Sequence, residues 1–570
     1  MMRTKNGATA VALGAVVAVA AAACSSGSSS GTSPSSAPAA GAKGGNLTML
    51  NLGPTEHLDP QRVYIGADIE FGSRVYARTL TTYSAGQNAQ LVPDLATDLG
   101  TASDQGKTWK FTLVDNAKWQ DGQPVKCEDV KYGVSRTFAQ DVITGGPNYM
   151  VTFLDIPADG YTGPYTGKGQ DLFDKAVTCE GQTITFHFSK PWADFNVHTA
   201  ALLSVAPFRK DQDKGAESDF APFSNGPYML DATFDPNKGG KWVRNPNWDG
   251  STDKVRKALP DSITYTNGVQ TETVYQRLIA NSGEDQSAIA VVQAGPTTLP
   301  LLASNPDAAK RSVNVAAPYT DYVQPNVKSP VMSNEKTRQA FAVATNRDAY
   351  ITAYGGPQVM VPTYAMCNQK LKCYKQFNPF GAPTAGDPEA AKKILTDAGV
   401  ATPVNITVVY RKRPTSDKAF AAMKETWDKA GFNVTLEGIS DKYYATIQGP
   451  SYSTKDVFWA GWGADWPSGS AVVPALFDSR VNITAGGSGQ DYGYFSDDAV
   501  NKAIDDAYLI SDADAREKAW GDIDETISKK GGVVPLVNQK FTFAWGSLVK
   551  NFETNSLMGG YVDLANISVK

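Results

Sequence analysis

Hydrophobic and polar positions follow two different periods early in the chain. Residues 108–113 alternate between polar and apolar side chains, which predicts a half-buried strand. The Asp-Gly pair at 121–122 predicts a turn. After this turn, Val130, Val134 and Phe138 recur at helical spacing. This part of the chain is therefore predicted to form a strand, a turn and a helix.

Residues 387–465 alternate between helix and strand patterns. Asp387 can cap a helix that has Pro388 in its first turn, and Gly399 follows the last helical residue. The pattern then predicts strand 404–410, helix 416–430 closed by a glycine, strand 432–439, helix 441–448 and strand 457–461. Strands that alternate with helices pair in parallel through right-handed crossovers. The stretch is therefore predicted to be an α/β domain.

Charged residues follow two of these predicted strands. Arg411, Lys412 and Arg413 come after the first strand, and Asp465 comes after the last one. Ligands of open parallel sheets bind beyond the carboxyl ends of the strands. Cations and an anion at one sheet edge could hold the two termini of a zwitterionic ligand. The alternatives are a solvated charged loop at 411–413 and a turn or helix cap at Asp465.

Asp465 lies in a segment rich in tryptophan. Trp459, Trp462 and Trp466 stand close to it in sequence, and this predicts that its side chain is buried. A buried carboxylate needs a cationic or hydrogen-bonding partner. We therefore expect Asp465 to have such a partner in the folded protein or in its ligand.

The chain begins with a pattern typical of exported lipoproteins. Arg3 and Lys5 precede an apolar run, residues 8–23, that is too short and too rich in alanine for a convincing membrane span. Residues 21–24, A-A-A-C, resemble the lipobox of bacterial lipoproteins. We expect residues 1–23 to be a signal peptide, Cys24 to carry lipid and residues 24–44 to form a flexible tether. The alternative is an ordinary secretion signal that happens to contain a cysteine.

Four further cysteines suggest disulfide bonds in an exported chain. Proximity in sequence favours the pairs Cys127 with Cys179 and Cys367 with Cys373 among three possible pairings. A zinc site is the alternative, but the spacing lacks paired C-x-x-C units and no histidine is near.

Composition and charge narrow the functional classes. A net charge of −5 over 570 residues provides no basic surface for nucleic acid. With only three histidines, few metal or catalytic sites can be built. No G-x-S-x-G elbow occurs after the predicted tether, and the chain has no H-E-x-x-H or phosphate-loop motif. We therefore expect neither an enzyme nor a bound cofactor or metal, and any ATP hydrolysis would belong to a partner.

Several segments resemble the family 5 extracytoplasmic solute-binding proteins, the oligopeptide, dipeptide and nickel group. The matching segments are L-D-P at 58–60, P-D-L-A at 93–96, W-K-F at 109–111, W-Q-D-G-Q-P-V at 119–125, E-D-V at 128–130, N-G-P-Y at 225–228, R-N-P-N-W at 244–248 and T-R-Q-A-F at 337–341. The family's A-I-D-R segment reads A-T-N-R at 344–347. The resemblance extends through nearly the whole chain after the tether.

The resemblance implies an α/β fold like that of type II periplasmic binding proteins. In this fold two α/β lobes close on the ligand about a hinge, and an extra α+β lobe packs beside the first. We expect lobe I to comprise residues 45–80, 190–313 and 535–570. Residues 81–189 would then form the extra lobe II, and residues 314–534 would form lobe III.

The resemblance also implies a site and a function. Residues 461–466, G-W-G-A-D-W, are similar to the G-W-x-x-D-Y segment of peptide-binding members. Asp465 would take the ammonium group of a peptide, Trp462 would wall a side-chain pocket, and Trp466 replaces the tyrosine. The protein would be a monomer, anchored by lipid alone on the outer face of the cytoplasmic membrane, that delivers di- or oligopeptides to an ABC permease and its ATPase subunits.

Two alternatives remain open at this point. The same fold could bind a sugar oligomer, an opine-like compound or a metal chelate. The protein could also be a sensor that presents its ligand to a membrane receptor.

Overall fold

The computed structural model describes residues 41–570. The predicted signal peptide, Cys24 and most of the predicted tether lie outside the described residues. Within residues 41–570, no helix combines the length and the apolar character that crossing a membrane requires.

The described residues form short strands and helices in a mixed order. In chain order the strands are β1 Asn46–Leu50, β2 Thr81–Tyr83, β3 Leu91–Pro93, β4 Thr101–Ser103, β5 Thr108–Thr112, β6 Val177–Glu180, β7 Thr183–His187, β8 Tyr228–Leu230, β9 Gly239–Arg244, β10 Ser262–Thr266, β11 Ala288–Ala290, β12 Ser312–Pro325, β13 Met360–Pro362, β14 Val404–Arg411, β15 Phe432–Ile439, β16 Val457–Gly463, β17 Val534–Ala544, β18 Glu553–Thr554 and β19 Val562–Asp563.

The α-helices alternate with these strands. They are α1 Gly66–Val75, α2 Cys127–Arg136, α3 Tyr149–Phe153, α4 Gln170–Ala176, α5 Phe195–Ala201, α6 Thr271–Ala280, α7 Leu299–Ser304, α8 Pro306–Ala309, α9 Glu335–Ala344, α10 Arg347–Tyr354, α11 Pro388–Asp397, α12 Pro414–Lys429, α13 Tyr443–Gln448, α14 Val473–Phe477, α15 Ser479–Asn482, α16 Asp498–Tyr508 and α17 Ala513–Lys529.

Two sheets organise the first half of the chain. A five-stranded sheet has the order β11-β1-β10-β9-β8, in which β1 is parallel to both of its neighbours. Its strands fall in the ranges expected for lobe I. A four-stranded antiparallel sheet, β4-β5-β7-β6, falls in the range expected for lobe II. We use lobe I and lobe II below for the parts of the chain built on these two sheets.

The second half of the chain is built on a six-stranded sheet with the order β13-β17-β12-β16-β14-β15, and we call this part lobe III. The sheet includes β17, most of which falls in the range expected for lobe I. β14 pairs in parallel with both β15 and β16, which confirms the prediction from the alternating pattern. β12, however, pairs antiparallel with β16 and β17, and β13 pairs antiparallel with β17. The sheet is therefore mixed rather than wholly parallel.

Both faces of the six-stranded sheet are covered by helices. Val408 and Val457 pack into one hydrophobic core, whereas their sequence neighbours Val409 and Phe458 pack into another. Helices α9 to α12 supply the first core, and α13, α14, α16 and α17 supply the second. A sheet buried on both faces explains why these strands are almost continuously hydrophobic.

The two longest strands connect lobe III with lobe I. β12 and β17 pair along most of their length, but their register shifts between Ala316 and Thr320. Directly after β17, Trp545 forms a bridge with Ile289 in β11 of the five-stranded sheet. Register shifts of this kind bend a strand locally. The register shift therefore bends β12 between Ala316 and Thr320.

Several element boundaries follow local chemistry. Gly399 and Gly431 follow helices α11 and α12 with φ angles of +66° and +98°, which glycine adopts without a steric penalty. The helix predicted to begin at residue 416 begins at Pro414 instead, because proline is accepted in a first turn. The strand predicted to end at 461 continues to Gly463, because pairing with β12 extends that far.

The four cysteines of the described chain form two disulfide bonds. Cys127, the first residue of α2, is bonded to Cys179 in β6, and Cys367 is bonded to Cys373. These are the two pairs that sequence proximity favours. The first bond ties helix α2 of lobe II to the edge strand β6 of its sheet.

Candidate functional site

A cavity of about 710 Å³ lies between lobe III and the other two lobes. This volume is in the usual range for a small-molecule site. From lobes I and II it is lined by Tyr64, Gly146, Pro147, Asn148, Tyr149, Thr152, Phe153, Lys190 and Pro191. From lobe III it is lined by Trp462, Trp466, Ser470, Pro474, Ala475, Asp478, Arg480, Val481, Gln490, Asp505, Tyr508 and Leu509.

Trp462 and Trp466 form part of the lobe III wall of the cavity. Trp462 lies on β16, and its indole N–H donates to the carbonyl oxygen of Ala471 at 2.9 Å. Trp466 is buried, and its indole N–H donates to Oγ of Ser470 at 2.9 Å. The ring of Tyr149 meets Trp466 edge-on at a centroid distance of 4.9 Å. These contacts fix the planes of both indoles, so the wall is a preformed apolar surface.

Asp465 is half-buried and accepts hydrogen bonds from across the cleft. The hydroxyl of Tyr64 donates to its Oδ2 at 2.5 Å, and the hydroxyl of Tyr149 donates to the same oxygen. Among the described residues, no lysine, arginine or histidine forms an ion pair with this carboxylate. The partner that a buried carboxylate requires is thus a pair of neutral hydroxyl groups. Sequence reasoning missed both tyrosines, because they lie more than 300 residues away in the chain.

Burial changes the acidity of all three groups. Burial raises the pKa of Asp465 to about 6, and the hydrogen bonds from Tyr149 and Tyr64 offset part of this effect. The carboxylate is therefore mostly ionised at neutral pH. Burial and the negative charge of Asp465 raise the pKa of Tyr64 and of Tyr149, so both tyrosines stay protonated and act as donors.

Asp465 is not among the residues that line the 710 Å³ cavity; it lines a second, smaller cavity of about 90 Å³ that shares Tyr64 with the larger one. The opposite side of this space is formed by Tyr319 on β12 and by Tyr561, whose hydroxyls are 3.0 Å apart. Tyr319 lies within the stretch where the pairing of β12 with β17 is interrupted. Asp465 is therefore close both to the cleft and to the chain that connects the lobes.

The predicted cations lie at the sheet edge but outside the wall of the 710 Å³ cavity. Arg411 is the last residue of β14, and Lys412 and Arg413 follow it as exposed residues. None of the three lines the 710 Å³ cavity. The parallel register of β14 and β16 places Arg411 at the same sheet edge as Asp465. A role for residues 411–413 in binding stays a prediction.

Four charged residues of the cavity wall were not anticipated from the sequence. Arg480 donates from Nε to Oδ1 of Asp478 at 2.9 Å and from Nη1 to Oδ2 of Asp505 at 2.6 Å. The Nζ atom of Lys190 lies 4.2 Å from the centroid of the Phe153 ring. Asp478 and Arg480 lie at the start of α15, but Asp505 lies on α16 and Lys190 in lobe I, so no local sequence pattern connects all four.

A buried ion pair also joins lobe I to lobe III. Asp194, directly before α5, accepts at Oδ1 from Nη2 of Arg516 on α17 at 2.9 Å. Its Oδ2 accepts from Oγ of Ser468 at 2.8 Å and from Oγ of Ser470 at 2.7 Å. The side chains of Arg516 and Asp194 are only 6% and 9% exposed, so opening the cleft here would expose both charges to water.

The described residues offer no metal site. No group of three or more His, Cys, Asp and Glu side chains in residues 41–570 has the arrangement to hold a metal ion. His198 is fully buried and contacts the rings of Tyr149 and Trp466. Burial lowers its pKa to about 3, so the imidazole is neutral. It packs behind the cavity wall and does not line the cavity.

A protein-family model and a sequence relative both match most of this chain. The family model described as bacterial extracellular solute-binding proteins, family 5 Middle, matches residues 90–483. The periplasmic oligopeptide-binding protein OppA of Salmonella typhimurium is 25% identical over 494 residues, which cover 81% of this chain and 81% of that protein.

Solved structures show the same fold. The clavulanic acid biosynthesis oligopeptide binding protein 2 superimposes with a TM-score of 0.85 at 27% identity, covering 93% of this chain and 96% of that one. Haemophilus influenzae OppA in complex with RPPGFSPFR gives a TM-score of 0.67 at 19% identity, covering 92% and 98% of the two chains, and supports the fold alone. The expected type II periplasmic-binding-protein fold is thereby confirmed.

Proposed function

Because the chain belongs to the bacterial extracellular solute-binding proteins of family 5, we propose that it captures peptides between its lobes and delivers them to an ABC permease. Its relatives are substrate-binding proteins of transporters and not enzymes. In this proposal the protein binds and presents the ligand, and the permease with its ATPase subunits moves it across the membrane.

The observation that carries the proposal is the carboxylate of Asp465 in the cleft. It has two hydroxyl donors and no cation among its described neighbours, and it is mostly ionised at neutral pH. A peptide's α-ammonium group brings a positive charge and three N–H donors to such a carboxylate. Charge-assisted hydrogen bonds of this kind are stronger than neutral ones, particularly where water is excluded.

Closure of the lobes supplies the mechanism. The ligand binds to an open form, lobes I and III rotate about the chain between Ala316 and Thr320, and the closed form buries the ligand against Trp462 and Trp466. The closed form then docks on the permease. The ligand shifts the population toward closure because it contacts both walls only in the closed form.

Membrane attachment belongs to the same proposal. Lipid on Cys24 and the tether over residues 24–44 would hold the binding protein, as a monomer, at the outer face of the cytoplasmic membrane. Each buried CH₂ group of the lipid contributes about 0.8 kcal/mol, and stable retention near the permease would take more than one acyl chain.

Substitution of Asp465 tests the role of the carboxylate. Asp465→Asn keeps the side-chain shape and removes the charge. We expect it to weaken binding of peptides that have an unmodified amino terminus about 10- to 100-fold, since hydrogen bonds to charged groups contribute about 1.5–3 kcal/mol. Binding of the N-acetylated forms of the same peptides should change less than about twofold. Isothermal titration calorimetry measures both affinities.

A matched control is Asp115→Asn, an exposed carboxylate in lobe II. This variant should bind both forms as the wild type does. Equal weakening of acetylated and unmodified peptides by Asp465→Asn would remove Asp465 from the ammonium role. If the wild-type protein binds no peptide and releases a sugar or a metal chelate on denaturation, peptide is not its ligand.

A further inference from the structure

Two tyrosine hydroxyls lie between Asp465 and the larger cavity. Tyr64 and Tyr149 both line the 710 Å³ cavity and both donate to Oδ2 of Asp465, which lines the smaller cavity and not the larger one. A carboxylate oxygen has two lone pairs, so these two bonds use the whole accepting capacity of Oδ2. A ligand group that enters from the larger cavity therefore reaches Oδ2 only by replacing one of the hydroxyls.

The two tyrosines differ in how firmly they are held. Tyr149 is the first residue of α3, and its ring packs against the rings of Trp466 and His198 at centroid distances of 4.9 and 5.5 Å. Tyr64 lies in the loop before α1 and is 38% exposed. Among residues 41–570, no aromatic ring packs against that of Tyr64. Tyr64 is therefore the hydroxyl donor that leaves the carboxylate at the smaller cost in packing.

Tyr64 also stands between the two cavities. Of the residues that the structure describes, it alone lines both the 710 Å³ cavity and the 90 Å³ cavity that contains Asp465. Rotation of its side chain away from Asp465 would join the two spaces. The same movement would free one lone pair of Oδ2 and open a path from the larger cavity to the carboxylate.

We propose that Tyr64 determines specificity, because its hydroxyl takes the place of a ligand's amino group on Asp465. The inference rests on the proposed function, in which the α-ammonium group of a peptide binds this carboxylate. A peptide with an unmodified amino terminus replaces the Tyr64 hydroxyl, whereas a ligand without an amine leaves that hydroxyl in place. Since a buried carboxylate that lacks donors opposes closure, Tyr64 extends the range of ligands to those with a blocked amino terminus, such as N-acylated peptides.

Tyr64→Phe tests the inference, because this change removes the hydroxyl and keeps the ring. The probe is a mixture of di-, tri-, tetra- and pentapeptides of alanine, leucine and phenylalanine, offered with unmodified amino termini and, separately, as N-acetylated forms. Native mass spectrometry identifies the peptides that bind, and calorimetry measures the Kd of the best one in both forms. We expect the ratio of the acetylated Kd to the unmodified Kd to be about 3- to 10-fold higher in Tyr64→Phe than in the wild type.

This ratio isolates the role of the hydroxyl. Both Kd values refer to the same ligand-free protein, so any effect of the substitution on the equilibrium between open and closed ligand-free forms cancels. Tyr64→Leu also lacks the hydroxyl and should raise the ratio in the same direction, and it decides if Tyr64→Phe does not fold. Tyr374→Phe is the matched control, since Tyr374 is also 38% exposed and lines neither cavity, and its ratio should equal that of the wild type.

A ratio that stays at the wild-type value or falls in Tyr64→Phe would overturn the role of Tyr64. The proposed function would stand in that case if Asp465→Asn still weakens only the peptides with an unmodified amino terminus. Equal weakening of both peptide forms by Asp465→Asn, or no binding of any peptide by the wild type, would overturn the proposed function and this inference with it.

Discussion

The buried ion pair between Asp194 and Arg516 leads to a quantitative prediction about closure. The two residues belong to different lobes, so the pair can form only when the cleft is closed, whereas both side chains are hydrated when it is open. Asp194→Asn removes the charge but keeps an oxygen that Ser468 and Ser470 can still donate to. The variant should therefore penalise the closed form and leave the open form unchanged.

The magnitude follows from the environment of the pair. Breaking a buried ion pair by removing one partner costs about 3–5 kcal/mol, and the retained serine hydrogen bonds reduce this to about 2–3 kcal/mol. A factor of ten in an equilibrium constant corresponds to about 1.4 kcal/mol, so closure should become about 30- to 150-fold less favourable. If the closed form is the minor one before ligand binds, the apparent Kd rises by the same factor.

Calorimetry with a peptide ligand measures the Kd, and small-angle X-ray scattering measures the loss of the compact form. Asp253→Asn is the matched control, because Asp253 forms an equally buried ion pair with Arg256 inside lobe I. This control should lower Tm without changing the Kd. The reasoning is wrong if Asp194→Asn also lowers Tm and leaves the Kd within about twofold of the wild type.

Three further predictions concern acidity and stability. The Kd for a peptide should rise about tenfold for each pH unit below about 6, where Asp465 becomes protonated, and Asp465→Asn should show no such dependence in pH-resolved calorimetry. Asp491 is buried with one carboxylate oxygen unpartnered among the described residues, and burial raises its pKa to about 8. The folded protein then keeps a proton that the unfolded chain releases near pH 4, so its stability falls as pH rises from about 4 to 8. Asp491→Asn should gain about 1–3 kcal/mol in urea denaturation at pH 8 and nothing at pH 4. Serine in place of both Cys127 and Cys179 should cost about 4 kcal/mol, against about 2 kcal/mol for Cys367 and Cys373, because the bonds close loops with sequence separations of 52 and 6.

Local patterns of the sequence predict the α/β part of lobe III well. The strand 432–439 has the predicted bounds, and Gly431 ends the helix before it, because both depend on residues adjacent in the chain. The antiparallel strands β12 and β17 were not predicted, because their pairing joins segments far apart in sequence. Tertiary pairing of this kind leaves no periodic signal at either strand.

The same distinction between local patterns and distant contacts applies to the candidate site. Trp462, Asp465 and Trp466 lie in one short segment, so a local sequence motif is enough to bring them together. Lys190 and Tyr149 reach the cavity from other lobes, and their chemistry depends on neighbours that no local pattern indicates. The sequence therefore predicts one wall of the cleft, and the opposite wall requires the three-dimensional arrangement.

The position of β17 between β13 and β12 has a consequence for biogenesis. β12 is synthesised long before β17, yet β17 is the strand that covers its exposed edge and also leads back to lobe I. Until β17 emerges, neither lobe III nor the connection between the lobes can be completed, so a partly synthesised chain cannot acquire its binding-competent form. Non-local pairing is slow to form. The fold is thus completed only once its last long strand is available, and ligand capture has to wait for that strand.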